Sequence, residues 1–146
     1  MTKCSRVMHC QPSDVFAVLS DGWTYPVWVV GAARARDVDK GWPEPGTRIH
    51  HAVGVWPALV QDHTESAVVE SPHYLRLRAR AWPTGEANVE FEIEPHDEGC
   101  VVTIDEHVAS GPAALIPSPI EAALLKWRNS ETLRRLSFIS EGRARS

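Results

Sequence analysis

The sequence predicts an α+β domain in which short helices and a meander of antiparallel strands are followed by one long C-terminal helix. Three observations carry this. Leu75-Arg76-Leu77-Arg78-Ala79-Arg80 and Val89-Glu90-Phe91-Glu92-Ile93-Glu94 alternate apolar and charged residues, as strands with one dry and one wet face do. Turn signals punctuate the middle of the chain at Lys40-Gly41 through Pro45-Gly46, Trp56-Pro57, Ser71-Pro72, Thr84-Gly85 and Asp97-Glu98-Gly99. Over residues 120–141, apolar side chains recur at helical spacing.

Taken in order, residues 5–10 read as a short strand. Pro12-Ser13-Asp14 opens a helix through Val15, Phe16, Val18 and Leu19, with Ser13 or Asp14 as N-cap, and Asp21-Gly22 stops it. Residues 25–30 form one or two helical turns closed by Gly31. Strands follow at 33–39, 47–56, 59–70, 73–82, 87–95 and 100–109, and the short turns between them imply antiparallel pairing. Folding the central hairpin about Gly85 sets Arg80 opposite Glu90, Arg78 opposite Glu92 and Arg76 opposite Glu94. Each such exposed pair contributes only ~0.2–1 kcal/mol. The charges matter more as a marker of the wet face. They assign Leu75, Leu77, Ala79, Ala81, Ala87, Val89, Phe91 and Ile93 to the dry one. The final helix is about 33 Å long at ~1.5 Å per residue. Ala122, Leu125, Asn129, Thr132, Leu133, Leu136 and Ile139 share one face; Lys126, Arg128, Arg134 and Arg135 lie mostly off it. Pro117 and Pro119 make its entry irregular, with a separate turn.

With 146 residues, the chain favours one domain spanning 1–146. A net charge of -4 argues against a nucleic-acid partner, which calls for a basic stripe. Cys4, Cys10 and Cys100 are widely spaced and form no C-x-x-C, the pattern of free thiols in a reducing cytosol. No apolar run approaches the ~18 residues of a membrane span, and the N-terminus lacks a signal core; a soluble cytoplasmic protein is expected. There is no G-x-S-x-G elbow and no glycine-rich phosphate loop, so no cofactor is implied. No metal is expected either: His50 and His51 point to opposite faces, and only His63 offers to join His51.

Polar residues on the dry side are the candidates for function. If the 96–99 turn is even in length, Val102, Ile104, Glu106 and Val108 face inward. Glu106 is then a carboxylate on the apolar side: a cavity acid or base with a pKa raised by desolvation, unless a bulge turns it outward. His51 shares the inner face of its strand with Ile49, Val53 and Val55. There it can donate to a ligand oxygen or shuttle a proton, or simply bond a neighbouring strand. Asn129 is the one amide on the buried helix face, suited to a ligand or to a helix–sheet hydrogen bond. Six tryptophans are many for this length. Trp42, Trp56 and Trp82 precede prolines and mark strand ends. Trp23, Tyr25 and Trp28 gather around the short second helix, where aromatics can stack a ring-shaped ligand or pack as ordinary rim.

The order strand, two helices, six strands, long helix resembles the helix-grip fold of the START-like, or SRPBCC, superfamily. The wording of residues 21–32 (Asp-Gly-Trp-Thr-Tyr-Pro-Val-Trp-Val-Val-Gly-Ala), of Trp42-Pro43-Glu44-Pro45-Gly46, of His50-His51 with Gly54-Val55-Trp56-Pro57, of residues 75–83 and of Trp127-Arg128-Asn129 is similar to its small actinobacterial polyketide cyclase/dehydrase and lipid transport branch. That resemblance implies a curved sheet wrapped around the C-terminal helix with a cavity between them. Trp28, His51, Trp56, Leu77, Phe91, Ile104, Glu106 and Asn129 would line it. The fold hosts several functions. The expected one is binding of a hydrophobic small molecule, lipid-like or polyketide-like, by a monomer or homodimer. A cyclase or dehydratase using His51 and Glu106 is the alternative, and a co-chaperone-like interaction module the second.

Overall fold

Alternating strands joined by tight turns assemble, in the computed structural model, into a single sheet. The structure describes residues 2–30, 32–55, 58–81 and 85–145. The chain runs β1 (Thr2–Met8), α1 (Pro12–Leu19), a 3-10 turn (Gly22–Thr24), α2 (Tyr25–Trp28), β2 (Ala32–Val38), β3 (Arg48–Val55), β4 (Ala58–Glu70), β5 (Tyr74–Ala81), β6 (Gly85–His96) and β7 (Gly99–Ser110). A second 3-10 turn (Pro112–Leu115) then leads into α3 (Ser118–Ala144). The seven strands lie in the order β1-β7-β6-β5-β4-β3-β2, each pair antiparallel. This is the expected meander with β1 added beside β7, and α3 packs over β1, α1 and α2. The expected turns at Trp56-Pro57 and Trp82-Pro83-Thr84, and the Gly31 stop, lie outside the described residues.

The charged hairpin keeps its faces but not its expected register. Arg76 pairs with Glu90, Arg78 with Asn88 and Arg80 with Glu86. Ala81 opposite Gly85 closes the ladder, so Gly85 begins β6 instead of sitting at the centre of the turn. It has a reason to be there: φ is +120°, and a Cβ would meet the Ser110 carbonyl oxygen at 1.9 Å. The shift is even, so the alternation of the two strands keeps its predicted sense. Leu75, Leu77, Phe91 and Ile93 are buried. Of the ladder's charges, Arg80 and Glu86 form an ion pair, at 3.8 Å.

The dry face merges with α1, α2 and α3 into one core containing Met8, Val15, Leu19, Trp28, Ile104, Leu133 and Leu136. Two helix details differ from the sequence expectation. Gln11, not Ser13 or Asp14, is the N-cap of α1; its N–H donates to Asp14 Oδ2 at 2.9 Å, placing Asp14 in the first turn where a carboxylate suits the helix dipole. On α3, Leu125, Asn129, Thr132, Leu133 and Leu136 are buried as expected, joined by Ser137 and Ser140, but Ala122 is exposed. The far end of α3 is tied down: the His9 N–H donates to Glu141 Oε2 at 3.0 Å, and Arg143 pairs with Asp21 at 3.0 Å.

Candidate functional site

Register decides which polar groups reach the interior. On β7, Val102, Ile104 and Glu106 are all buried, so Glu106 faces inward as its strand's alternation implies. It is not a lone carboxylate. Arg128 on α3 donates from Nη2 to Glu106 Oε2, with the acid almost fully buried and the guanidinium partly solvated. Helical spacing puts Arg128 off the buried face, and its long apolar stem lets the head reach a partner that its Cα direction does not suggest.

His51 is 2% exposed, and its ring stacks on Tyr25 with centroids 5.3 Å apart and planes 12° apart. Thr64, opposite Ile49 on β4, joins the two: His51 Nε2 lies 2.8 Å from Thr64 Oγ1, and Tyr25 Oη lies 2.9 Å from the same oxygen. Burial holds the His51 pKa down at about 4, partly opposed by Asp62, and pushes the Tyr25 hydroxyl up to about 12. Both are therefore neutral at physiological pH. Asp62 is opposite His51 in the ladder, whereas His63 is opposite His50 and so falls on the other face from His51. Among the described residues, no group of three metal-ligating side chains comes together.

Aromatic rings extend this cluster toward β6. Tyr25 meets Trp28 edge-on at 5.3 Å, and Trp28 meets Phe91 edge-on at 5.8 Å. The Trp28 indole N–H donates to Thr24 Oγ1 at 3.1 Å. Trp28 and Tyr25 are thus interior, while Trp23 is exposed. Leu77 and Ile104 complete the apolar wall. Trp56 lies outside the described residues. From the helix side, Asn129 is 3% exposed and its Nδ2 has no hydrogen-bond partner; neither has His51 Nδ1.

Sequence reasoning missed Thr64, Arg128 and the hydroxyl role of Tyr25. Thr64 was hidden for a physical reason. In β4 the inward residues Asp62, Thr64 and Ser66 are buried, while Gln61, His63 and Glu65 alternate with them. Both faces are polar, so hydropathy alternation carries no sign there.

A seven-stranded antiparallel sheet with short helices after its first strand and a long C-terminal helix packed against it is the helix-grip fold of the SRPBCC superfamily. More particularly, the chain belongs to the polyketide cyclase / dehydrase and lipid transport family, which it matches over residues 3–137. No curated protein matches it in sequence. Solved structures share the fold at low identity. A Nitrosomonas europaea protein is 14% identical with a TM-score of 0.73, covering 99% of this chain and 96% of its own. The di-domain ARO/CYC StfQ of the steffimycin biosynthetic pathway is 13% identical with a TM-score of 0.73, covering 99% of this chain and 51% of its own. Ara h 8.0201 is 11% identical with a TM-score of 0.69, covering 94% of this chain and 95% of its own.

Proposed function

We propose that the protein binds a hydrophobic small molecule, lipid-like or polyketide-like, between the inner sheet face and α3, without covalent chemistry. The observation that carries this reading is the state of the two groups best suited to catalysis. Glu106 is engaged by Arg128, and His51 is held neutral by burial, with Nε2 bonded to Thr64. A general base needs a pKa near the working pH and a free lone pair aimed at the substrate. The neighbouring wall of Trp28, Leu77, Phe91 and Ile104 suits apolar contact instead. Family membership is compatible with this reading and with the enzyme reading alike, since the family's description joins lipid transport to polyketide cyclase / dehydrase.

Native mass spectrometry of the protein purified from its own host tests this. An added mass that leaves on denaturation, and that reports an apolar organic molecule in the extract, is the expected result. A spectrum of apoprotein alone, with no uptake of apolar ring compounds in titration, overturns it. If the retained molecule is instead converted during incubation, and Glu106→Gln or His51→Ala abolishes conversion while keeping binding, the cyclase or dehydratase reading replaces it.

A further inference from the structure

Two of the three cysteines meet at one corner of the fold. β1 pairs with β7 so that Met8 lies opposite Cys100, and Met8, Cys10 and Cys100 are buried in the same core. Just past Met8 the chain leaves β1 and enters α1 through Gln11. There it crosses Gly99, where a Cβ would meet the Met8 carbonyl oxygen at 2.3 Å and both N and O of Cys10 at 2.7 Å. The missing side chain thus lets the Cys10 backbone press against β7, next to Cys100. The two thiols interact directly, with Cys10 as the donor. Cys4 stands apart. It lies opposite Ile104, roughly 13 Å along β7 from the level of Cys100 by strand rise, and its thiol donates to the Lys126 carbonyl at 3.5 Å.

We propose that Cys10 and Cys100 are a redox-responsive pair, which a hydroperoxide converts to an intramolecular disulfide fastening the start of α1 to β7. The inference is independent of what the protein binds. Cys10 keeps 7% of its surface exposed and Cys100 none, so a small oxidant meets Cys10 first. The Cys10 sulfur attacks one peroxide oxygen, the O–O bond breaks, and the departing hydroxide takes the thiol proton and leaves as water. The Cys100 sulfur then attacks the Cys10 sulfenic acid; the S–S bond forms, the S–O bond breaks, and a second water leaves with the Cys100 proton. The two thiols supply the two electrons that reduce the peroxide. Burial pushes the Cys10 thiol up to about 12, so its thiolate is scarce and the first step is slow. The pair therefore answers sustained oxidation, not a brief pulse. The loop it closes holds α1, α2 and β2 to β6, and closing so long a loop stabilises by restricting the unfolded chain. The same corner pins α3, because the neighbouring His9 N–H donates to Glu141.

The test is to incubate the full-length protein with hydrogen peroxide for hours, unfold it, alkylate it and map its peptides by mass spectrometry. Reduced protein should take three alkyl groups, one per cysteine. Oxidised protein should take one, on Cys4, with the Cys10 and Cys100 peptides joined and the mass of two hydrogens lost. Its melting temperature should rise by roughly 5–10 °C, the effect of a typical bridge on a chain of this size, and dithiothreitol should reverse both changes. Cys10→Ala and Cys100→Ala should each abolish the bridge, and Cys4→Ala should keep it. The wild-type peptide map decides the question even where a variant fails to fold. Oxidation in urea supplies the contrast, since the unfolded chain should also pair Cys4. Three alkyl groups after oxidation, a bridge through Cys4 or between two copies in the folded protein, or the same mixture of pairings with and without urea overturns the proposal. A bridged protein that melts no higher than the reduced one overturns the fastening of α1 to β7.

Discussion

Arg128 and Glu106 show how one contact sets the character of a site. A carboxylate this deep is tolerable because a guanidinium satisfies it, and removing one partner leaves the other buried and unpaired. Arg128→Leu should therefore cost about 3 kcal/mol in urea unfolding, near the low end for buried pairs because the arginine head is partly solvated. Adding Glu106→Gln should restore most of that loss; a double variant no more stable than the single one would contradict the account. His51 gives a pH signature. Unfolded, the imidazole takes up a proton below its ordinary pKa of 6.5; folded, only below about 4. Between those values the unfolded state binds the extra proton, so stability is full above about pH 6.5, falls as pH drops, and levels off near 4. The slope is at most about 1.4 kcal/mol per pH unit from this one group. His63 is shifted in the same direction, chiefly by burial, so the clean measurement is a difference: unfolding curves of wild type and His51→Phe at pH 7 and 5 should diverge by less at pH 5. An unchanged difference would show that His51 protonates freely in the native state.

Among the elements, β6 starts on a glycine that its neighbour β7 makes indispensable. At Gly85 a side chain has no room beside the Ser110 carbonyl, and the positive φ disfavours any L residue. Gly85→Ala should destabilise by about 1–3 kcal/mol, whereas the same change at Gly142, where a Cβ meets nothing within 4 Å, should stabilise slightly through better helix propensity. Thermal melts of the two variants check the contrast; similar melting points would refute it. The strand faces of the β5–β6 hairpin were legible because its wet and dry residues differ sharply in hydropathy. β4 was illegible because Asp62, Thr64 and Ser66 put polar atoms on the inner face, where they find partners across the fold: Thr64 with Tyr25 and His51, and Ser66 Oγ with the Pro43 carbonyl at 2.6 Å.

Across the whole molecule, burial along α3 is uneven. Its C-terminal half packs Leu133, Leu136, Ser137 and Ser140 into the core and is pinned by Glu141 and Arg143. Its N-terminal half leaves Ile120, Leu124 and Trp127 exposed. Few buried contacts mean cheap local opening, so amides of residues 122–126 should exchange hydrogen faster than those of residues 132–138. Equal protection along the helix would show that α3 opens as one unit. The half of α3 with fewer buried side chains runs directly into Arg128 and Asn129, whose side chains join the buried polar groups of the sheet side.

The sequence by itself determined the element order, the antiparallel meander, the dry faces of β5, β6 and β7, and the inward placement of His51, Glu106 and Asn129. These are readable because period 2 and period 3.6 are local properties, carried by residues close together in the chain. Only the tertiary structure decided that Glu106 has Arg128 as its partner, that Thr64 links Tyr25 to His51, and that Asn129 Nδ2 and His51 Nδ1 are buried without a partner. Those facts depend on contacts between residues far apart in sequence, 39 positions for Tyr25 and Thr64 and 22 for Glu106 and Arg128. No local pattern encodes which distant side chain will meet a buried donor or acid; sheet register and helix placement settle it together.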